Sequence, residues 1–440
     1  MKVKNEKFDF HVGNLNGKRL LVLGCANNAQ DIRNFADTEG VVIVVSYPKI
    51  NPKIGAIADE CYSEDLNGKH QLISFIREKN IDGIFVGGSE DFISMVIDVA
   101  DETGIPFYSS RFLWDSLMNK QCFKDTCRKY GVPTPVDYYI REDHLEEDME
   151  KLEYPVVIKP VDSSGANGVV KCNTKEEFKD LYSFSKSKSK SGTVTVESFV
   201  DGDTIGVYYT FVDGKVTMSS MHDKYCRAVP ESFIPLSEIY AYPSKYMPEY
   251  LRDMDEKVRN MLTDFGIKNG IANMQGFYDH GTFRFIEIGY RLGGTAQYHY
   301  TQYLNGFSSF HMMMAFALTG KMEGCPQNLD NPHFSKPCCT LSLLSKGGTI
   351  ERVEGLDLVK NLPEVINVEE RYKTGDTIKA SRTVGQFHYR FFLVANDVDR
   401  MKEIINFIQE KVKAYDVNGE SMLITHFDTD KLSFGENKFE

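Results

Sequence analysis

The segment at positions 162–168 is the first stretch of this sequence whose residue types suggest a phosphate site. It reads DSSGANG and contains Ser163, Ser164, Gly165 and Gly168. The backbone amides of such small residues can wrap phosphate oxygens. The pattern GxxxxGK[ST] is absent, so the segment is not a Walker A loop. Taken alone, the segment is also compatible with a simple hairpin turn.

Three charged residues elsewhere are further candidates for ligand contacts. Lys159 ends the apolar run YPVVIKP, Lys224 lies in MHDKYC, and Glu90 follows Gly88 and Ser89 in VGGSED. Open α/β sheets bind ligands at the edge where such a loop would follow a strand, and Glu90 could meet an amine there. A solvated surface position is the alternative for Lys159 and for Lys224.

The first part of the chain predicts strands that alternate with helices. The apolar runs KRLLVLG, VVIVVS and DGIFVGG are typical of buried parallel strands, and GIPFYSS predicts a fourth strand after a helix over 89–102. These elements predict a Rossmann-like domain over about 15–112. Its first turn, GCANNA, lacks the second and third glycines of a dinucleotide site. A scaffold or one wall of a substrate cleft is therefore favoured over NAD binding.

The middle of the chain predicts the elements that would position the lysines. A helix is predicted over 120–130, closed by Gly131 before the prolines of GVPTP, and a strand over 154–160. The stretch KSKSKSG at 186–192 is predicted to be a solvated loop before the strand TVTVESFV.

The remaining elements predict a hairpin and a third, C-terminal unit. GIANMQGFYD and TFRFIEIGYRLGG predict a hairpin around the turn His280-Gly281, between helices over 251–265 and 310–318. From about Ser335, the sequence contains CCTLSLLSK, a GGTIERVEG turn, HYRFFLVAND, a helix over 398–415 and SMLITHFDT. Mixed strands with one long helix predict an α+β domain.

Charge and composition exclude several classes of partner. With 51 Lys and Arg against 63 Asp and Glu, the net charge of −12 opposes the positive field that nucleic acid or anionic lipid requires. We therefore expect no nucleic-acid and no membrane partner. The nine cysteines are scattered without a CxxC pair, and the N-terminal residues contain no apolar signal region. Both features predict a reduced, cytoplasmic protein.

The order and spacing of these pieces are more specific than any one of them. Lys120 before GVPTP, Lys159 in VVIKP, the glycine segment, VESFVDGD and the hairpin QGF…FIEIGYRLGG resemble the ATP-grasp superfamily, and most of all its carboxylate-amine and amino-acid ligases. The flanking regions are similar to biotin carboxylase and carbamoyl-phosphate synthetase. The resemblance implies an α/β and α+β protein with a Rossmann-like domain over 1–112, a two-subdomain ATP-grasp fold over 113–330 and a small C-terminal domain over 331–440. It also implies a mobile lid at about 154–212.

The resemblance implies that ATP lies between two α+β subdomains. Lys120 and Lys159 would reach its phosphates, Lys224 would contact the γ-phosphate, and the glycine segment would fold over them. Asp203 stands where the superfamily usually has a glutamate for the ribose hydroxyls. The residues expected around the purine are Glu197, Ser198, Phe199 and Val200 at the adenine and Val157 and Ile286 on its two faces.

The resemblance also implies Mg²⁺, or Mn²⁺ in its place. The matching ligand positions are Gln275 and Glu287, which lie on opposite sides of the hairpin turn and offer the hard oxygen donors that Mg²⁺ needs. The usual third ligand is an asparagine two residues after the glutamate, where this chain has Gly289. An exposed cross-strand salt pair between Glu287 and Arg291 is the alternative explanation of these charges.

The function that the resemblance implies is amide-bond formation. A small carboxylate, such as an amino acid, would be converted to an acyl phosphate and attacked by an amine, with release of ADP and phosphate. Arg291 would stabilise the acyl phosphate, and the amides of Gly293 and Gly294 would hold the substrate carboxylate. An enzyme that forms carboxyphosphate or carbamoyl phosphate, a phosphotransferase and a non-enzymatic nucleotide-binding protein stay open. A homodimer is expected, as in relatives.

Overall fold

The computed structural model describes residues 12–13, 15–162, 167–228, 235–322, 330–379, 386–424 and 426–435 of the 440-residue chain. Within these ranges the strands form a four-stranded parallel sheet, a four-stranded antiparallel sheet, an eight-stranded antiparallel sheet and a small three-stranded sheet. This mixture of parallel α/β and antiparallel α+β structure confirms the predicted fold class.

The first region is a parallel sheet in the order β3-β2-β1-β4 with helices packed on it. Its apolar strands, such as the buried run from Leu20 to Leu23, face helices on both sides, which explains why they lack alternating polar positions. Its elements are β1 Arg19–Val22, α1 Ala29–Glu39, β2 Val42–Ser46, α2 Pro52–Gly55, β3 Glu60–Tyr62, α3 Lys69–Glu78, β4 Gly83–Phe85, α4 Glu90–Thr103 and α5 Arg111–Met118.

The segment GIPFYSS forms no strand, so this prediction is wrong, and β3 is the fourth strand instead. Pro106 cannot donate a backbone hydrogen bond to a neighbouring strand. The hydroxyl of Tyr108 donates to the carbonyl of Tyr290 (3.2 Å), and the hydroxyl of Tyr290 donates to the carbonyl of Tyr108 (2.9 Å). The segment therefore joins the first region to the central one rather than widening the parallel sheet.

The next elements form a smaller antiparallel unit with strand order β5-β8-β6-β7. Phe178 and Tyr182 of its long helix pack on the buried Val156 and Ile158 of the sheet. The helix predicted over 120–130 and the strand predicted over 154–160 are both confirmed. Helix α6 Lys120–Lys129 packs through Phe123 and Cys127 on the core beneath the hairpin. The elements of the small unit are β5 Asp137–Tyr138, α7 Leu145–Met149, β6 Val156–Pro160, β7 Val170–Cys172, α8 Lys175–Ser187 and β8 Val194–Ser198.

One eight-stranded sheet runs through the rest of the chain, in the order β13-β12-β9-β10-β11-β14-β18-β16. It is continuous across position 331, because β11 pairs with β14. The elements are β9 Asp203–Val212, β10 Lys215–Arg227, β11 Leu236–Tyr242, α9 Met247–Asp253, α10 Asp255–Asp264, β12 Gly270–Asp279, β13 Thr282–Gly289, α11 Tyr298–Asn305, α12 Ser309–Thr319, β14 Cys338–Leu344, β15 Gly348–Glu354, α13 Leu356–Val359, β16 Val365–Glu370, β17 Thr377–Ile378, β18 Phe387–Val394, α14 Val398–Lys411 and β19 Lys413–Asp416.

Several details of this region differ from the predictions. The helix predicted over 251–265 is two helices, because Met254 leaves helical backbone angles (φ −126°). GGTIERVEG is the strand β15 rather than a turn, and it pairs with β17 and β19. The helix predicted to reach position 415 ends at Lys411, where the chain turns into β19. Of SMLITHFDT, Ser421 and Leu423 make isolated bridges.

The two faces of the eight-stranded sheet are used differently. Val207 and Tyr209 of β9 face a core completed by α9 and α10, whereas Tyr208 between them belongs to the core shared with Leu20 of the first region. The predicted hairpin is confirmed as β12 and β13, at one edge of this sheet. The hairpin side of the sheet meets the first region where Arg291, just after β13, contacts Glu90, and we call this junction the cleft. No helix in the described part of the chain is long and apolar enough to cross a membrane.

Candidate active site

Two buried lysines share one buried glutamate in the small antiparallel unit. Lys159 Nζ donates to Glu197 Oε1 (2.6 Å), and Lys124 Nζ donates to Glu197 Oε2 (2.5 Å) and to Asp137 Oδ1. Burial raises the pKa of the Glu197 carboxyl, but Lys159 and Lys124 outweigh this and hold the pKa below its ordinary value. With only 7% of its surface exposed, Lys159 is not the solvated surface residue of the alternative prediction.

Lys120 lies close to this network. It is the first residue of α6, whose N-terminus is capped by Asn119. Burial lowers the pKa of the Lys120 ammonium, and the charge of Lys159 lowers it further. The carboxylates of Glu287, Glu197 and Glu90 act in the opposite direction. The ammonium group therefore lies where the small unit, the hairpin and the first region meet.

The glycine segment is only partly within the described residues. Ser163, Ser164 and Gly165 lie outside them, and their predicted phosphate contacts stay predictions. Gly168 has a positive φ of 82°, and a Cβ there would lie 2.8 Å from Pro160 Cγ and 2.6 Å from Lys188 Cβ. Only glycine fits this turn without strain.

Asp162 fastens the start of the glycine segment to the KSKSKSG stretch. Its carboxylate accepts from the Ser189 hydroxyl (2.7 Å) and from the amides of Lys190 (3.1 Å) and Ser191 (2.6 Å). The Ser189 hydroxyl and then the other donors hold the pKa of Asp162 down at about 2. The stretch after α8 is thus bonded to the segment that precedes the predicted phosphate turn.

The predicted adenine segment and ribose residue have partners of their own. Ser198 Oγ accepts from the Val136 amide (3.0 Å), and Lys171 Nζ lies 3.7 Å from the centre of the Phe199 ring. Val200 is buried. Asp203 accepts from Lys245 Nζ (2.8 Å) and from the Tyr246 hydroxyl (2.5 Å). Burial raises the pKa of Asp203, and these two donors outweigh it, so the pKa is lowered.

A β-bulge in the hairpin brings Glu287 to the cleft. Gln275 pairs with Glu287, whereas the next residue, Gly276, pairs with Phe285, so Ile286 has no partner across the strands. Phe285 and Ile288 both face the core under α9 and α10. Strict alternation after Phe285 would turn Glu287 inward, and the extra residue reverses this. Ile286 and Glu287 therefore both lie on the cleft side, next to Gln275.

The hairpin offers hard oxygen donors on that side. Gln275, Glu287 and the buried Asn273 carry one carboxylate and two carboxamides on adjacent paired positions. Such oxygens suit Mg²⁺ or Mn²⁺. No cluster of three or more His, Cys, Asp or Glu side chains forms a metal site within the described ranges. Burial lowers the pKa of the nearby Lys224, but Tyr240, Cys226 and Glu287 outweigh this and raise it.

Arg291 pairs with Glu90 rather than with Glu287. Its Nε and Nη2 donate to Glu90 Oε1 (3.0 and 2.8 Å). The loop before Glu90 is close by, because a Cβ on Gly88 would lie 2.7 Å from the Leu292 carbonyl. The alternative of a Glu287–Arg291 salt pair is therefore not what the structure contains. The two residues predicted to act on substrate come from separate regions and meet across the cleft.

The segment after Arg291 contacts two strands of the eight-stranded sheet, β9 and β18. A Cβ on Gly293 would lie 2.5 Å from the Tyr208 hydroxyl, which is hydrogen-bonded to the Thr295 hydroxyl (2.5 Å). The Gly294 carbonyl accepts from Arg390 Nη1 (2.7 Å). Sequence reasoning missed Tyr208 and Arg390, and no local pattern marks them.

Comparisons with known proteins identify one matching family. Residues 152–298 match the family model described as the ATP-grasp domain. The chain therefore contains an ATP-grasp domain.

Two relatives show the kind of protein in which such domains occur. A phosphoribosylamine–glycine ligase of Fusobacterium nucleatum subsp. nucleatum is 24% identical over 234 residues, 51% of this chain and 55% of the relative. A D-aspartate ligase of Enterococcus faecium is 25% identical over 223 residues, 47% of this chain and 52% of the relative. The chain thus spans about half the length of these two relatives.

Solved structures share the fold along most of the chain. A phosphoribosylglycinamide synthetase from Anaerococcus prevotii superposes with a TM-score of 0.73 at 16% identity, covering 91% of this chain and 100% of that one. An L-amino acid ligase from Bacillus licheniformis gives a TM-score of 0.72 at 18% identity, with 92% and 99% covered. The similarity includes the regions before and after the matched domain, so the chain shares the fold of these two structures along most of its length.

Proposed function

We propose that this protein is an ATP-dependent ligase that joins a small carboxylate, such as an amino acid, to an amine. The observation that carries the proposal is the meeting of four kinds of group at one cleft. Ammonium groups for phosphate come from Lys120 and Lys159, oxygen donors for a cation come from the hairpin, and Arg291 meets Glu90 from the first region. The matched ATP-grasp domain and the ligase relatives support the same conclusion.

The nucleotide would lie between the small antiparallel unit and the hairpin. Lys120, Lys159 and Lys224 would neutralise its phosphates, and the turn that ends at Gly168 would fold over them. Val157 and Ile286 are half-buried apolar residues and would contact the two faces of the purine. Because Glu197 already holds Lys159 and Lys124, its part is to keep Lys159 charged and in place.

Mg²⁺ or Mn²⁺ would be held by Gln275 and Glu287, which present a carboxamide and a carboxylate on paired positions. When bound, the cation supplies positive charge next to the phosphates. Asp203, the first residue of β9, would accept hydrogen bonds from the ribose hydroxyls. Its carboxylate also accepts from Lys245 and Tyr246.

In the proposed reaction, the substrate carboxylate attacks the γ-phosphorus of ATP, and the bond to the β-phosphate oxygen breaks, which gives an acyl phosphate and ADP. The amine then attacks the acyl carbon, and phosphate leaves as the amide forms and the amine loses a proton. Arg291 would stabilise the charge on the acyl phosphate, and the amides of Gly293 and Gly294 would hold the carboxylate. Glu90 would orient Arg291 and face the incoming amine.

An acyl phosphate must be protected from water, so closure of the small unit is part of the proposal. Strand β9, from Asp203 onward, pairs with β10 and β12 in the eight-stranded sheet, so of the predicted lid at about 154–212 only the part up to Val200 would move. Pairing of two copies through the helices of the first region is proposed for the oligomer, to be checked by light scattering.

The test of the proposal is a screen of the purified protein with MgATP and pairs of amino acids or small acids and amines. We expect one class of pair to give ADP and phosphate in equal amounts with an amide product. AMP and pyrophosphate as the products would contradict the acyl-phosphate route and favour adenylation. Nucleotide binding without turnover for every pair would favour the non-enzymatic alternative.

A further inference from the structure

Four positions on the cleft side of the hairpin form a square. Asn273 and Gln275 alternate along β12, and they pair directly with Gly289 and Glu287 of β13. Directly paired side chains of antiparallel strands lie about 5 Å apart at Cβ, and diagonal positions such as Asn273 and Glu287 lie about 7–8 Å apart, within reach of long side chains that hold one ligand between them. Three of these four positions carry an oxygen donor, and the fourth, Gly289, carries no side chain.

Asn273 is oriented by Gly289. Its Nδ2 donates to the Gly289 carbonyl at 3.2 Å, which fixes the direction of the amide group. Only 5% of the residue is exposed. Its Oδ1 accepts no hydrogen bond from any residue in the ranges that the structure describes, and this oxygen keeps contact with solvent rather than being a buried atom without a partner. An amide whose nitrogen is bonded and whose oxygen meets only solvent has an acceptor left for a ligand.

The position of the Asn273 amide depends on the absence of a side chain at position 289. A Cβ on Gly289 would lie 3.0 Å from Asn273 Nδ2 and 3.5 Å from its Oδ1. A side chain at position 289 would therefore press on the end of the Asn273 amide, which would have to shift by a few tenths of an ångström. In this chain the carboxamide of this strand pair stands on β12.

We propose that Asn273 Oδ1 is the third protein oxygen donor to the divalent cation, together with Gln275 and Glu287. This inference rests on the proposed nucleotide and cation site, and it assigns a donor that the sequence pattern leaves vacant at Gly289. The set has one negative charge and two neutral amides. It therefore binds a divalent cation weakly by itself and firmly when nucleotide phosphates supply further oxygens.

The test measures Mn²⁺ binding rather than turnover. The Mn²⁺ affinity of the protein with ADP is followed by electron paramagnetic resonance for the parent and for Asn273→Ala. We expect the affinity of Asn273→Ala to fall by about tenfold or more, as for loss of a group that supports a metal site. Asn367→Ala is the matched control, because Asn367 is a carboxamide on β16 at the opposite edge of the same sheet, and its affinity should equal that of the parent.

Two further variants separate a cation ligand from a merely structural asparagine. In Asn273→Asp the carboxylate cannot donate to the Gly289 carbonyl but can still bind a cation, so Mn²⁺ affinity should stay at or above the parent value while the thermal stability without cation falls. Gly289→Asn alone should weaken Mn²⁺ binding by crowding Asn273. The double variant Asn273→Ala/Gly289→Asn should restore it, because the carboxamide has moved across the strand pair.

The outcomes distinguish this inference from the proposed function. A folded Asn273→Ala protein with parent Mn²⁺ affinity, or a loss in Asn273→Asp as large as in Asn273→Ala, overturns Asn273 as a ligand and leaves the ligase proposal standing. Absence of Mn²⁺–ADP binding in the parent itself overturns both.

Discussion

Replacement of Glu197 by glutamine tests whether the buried lysine network depends on a single carboxylate. Glu197→Gln keeps the size of the side chain but removes the negative charge between Lys159 and Lys124. Lys124 keeps Asp137 as a second carboxylate. Lys159 keeps no carboxylate among the described residues, so its buried ammonium loses its charge partner.

The expected cost follows from the burial of the pair. Removing one partner of a buried ion pair costs about 3–5 kcal/mol, mostly because the remaining charge stays desolvated. Since opening of β6 and β8 exposes Lys159 to water, this cost should appear as a lower free energy of local opening. A loss of about 3 kcal/mol speeds amide hydrogen exchange of these strands by roughly 100-fold.

The assay is hydrogen exchange read by mass spectrometry on peptides that contain β6 and β8, without nucleotide. The double variant Glu197→Gln/Lys159→Met should recover most of the protection, because it removes the unpaired charge as well. Glu238→Gln serves as control, since it removes the carboxylate of a partly buried pair with Arg227 in the eight-stranded sheet and should leave β6 and β8 unchanged. Unchanged exchange in Glu197→Gln, or no recovery in the double variant, would refute the reasoning.

Two further predictions concern the oxyanion contact and a buried acid. Arg291→Lys should lower kcat by about 100-fold or more with a smaller effect on the affinity for ATP, because the arginine acts on charge that develops during transfer. Steady-state kinetics measures both quantities. The control is Arg284→Ala, since Arg284 pairs with Asp279, and an equal loss of kcat in this control would contradict the prediction. Burial raises the pKa of Asp330 to about 6, so ionisation of this carboxyl lowers the stability of the fold as the pH rises from about 4 through 6. Asp330→Asn should therefore raise the free energy of unfolding at pH 7 by at most about 3 kcal/mol. At about pH 3.5, where the carboxyl is mostly neutral in both states, the variant should not differ from the parent. A pH-independent difference in denaturant unfolding would show that another cause dominates.

Local patterns in the sequence were sufficient for the elements that carry most of the candidate site. The helix that begins at Lys120, the strand that ends near Lys159 and the hairpin of β12 and β13 each have signals within a few residues. Glycine and proline residues at the ends of these elements indicate where each helix or strand begins and ends.

Features that depend on distant partners could not be predicted in this way. Lys159 is buried because Glu197, 38 positions away, and Lys124 complete its network. The sequence analysis missed Lys124. It lies four positions after Lys120 on α6 and therefore on the same helix face, but its carboxylate partners lie on other elements. The continuous sheet needs β11 to pair with β14 about 100 positions later, and strand register carries no local mark of this.

The bulge at Ile286 is a further feature that the sequence pattern does not predict, although it lies within a single hairpin. Alternation of apolar residues in TFRFIEIG predicts which residues face the core up to Phe285, and the extra residue then reverses the pattern. Glu287 reaches the cleft for this reason. The approach of Arg291 to Glu90 likewise depends on how the first region packs on the hairpin, which no motif specifies.

The measurement that tests the central claim most directly is the fate of the carboxylate oxygen. Once a substrate pair is found, the acid is supplied with ¹⁸O in its carboxylate, and the released phosphate is examined by mass spectrometry or ³¹P NMR. The proposed acyl phosphate predicts one ¹⁸O atom in each phosphate and none in ADP. Unlabelled phosphate together with the amide product, or ¹⁸O found in AMP, would contradict the account.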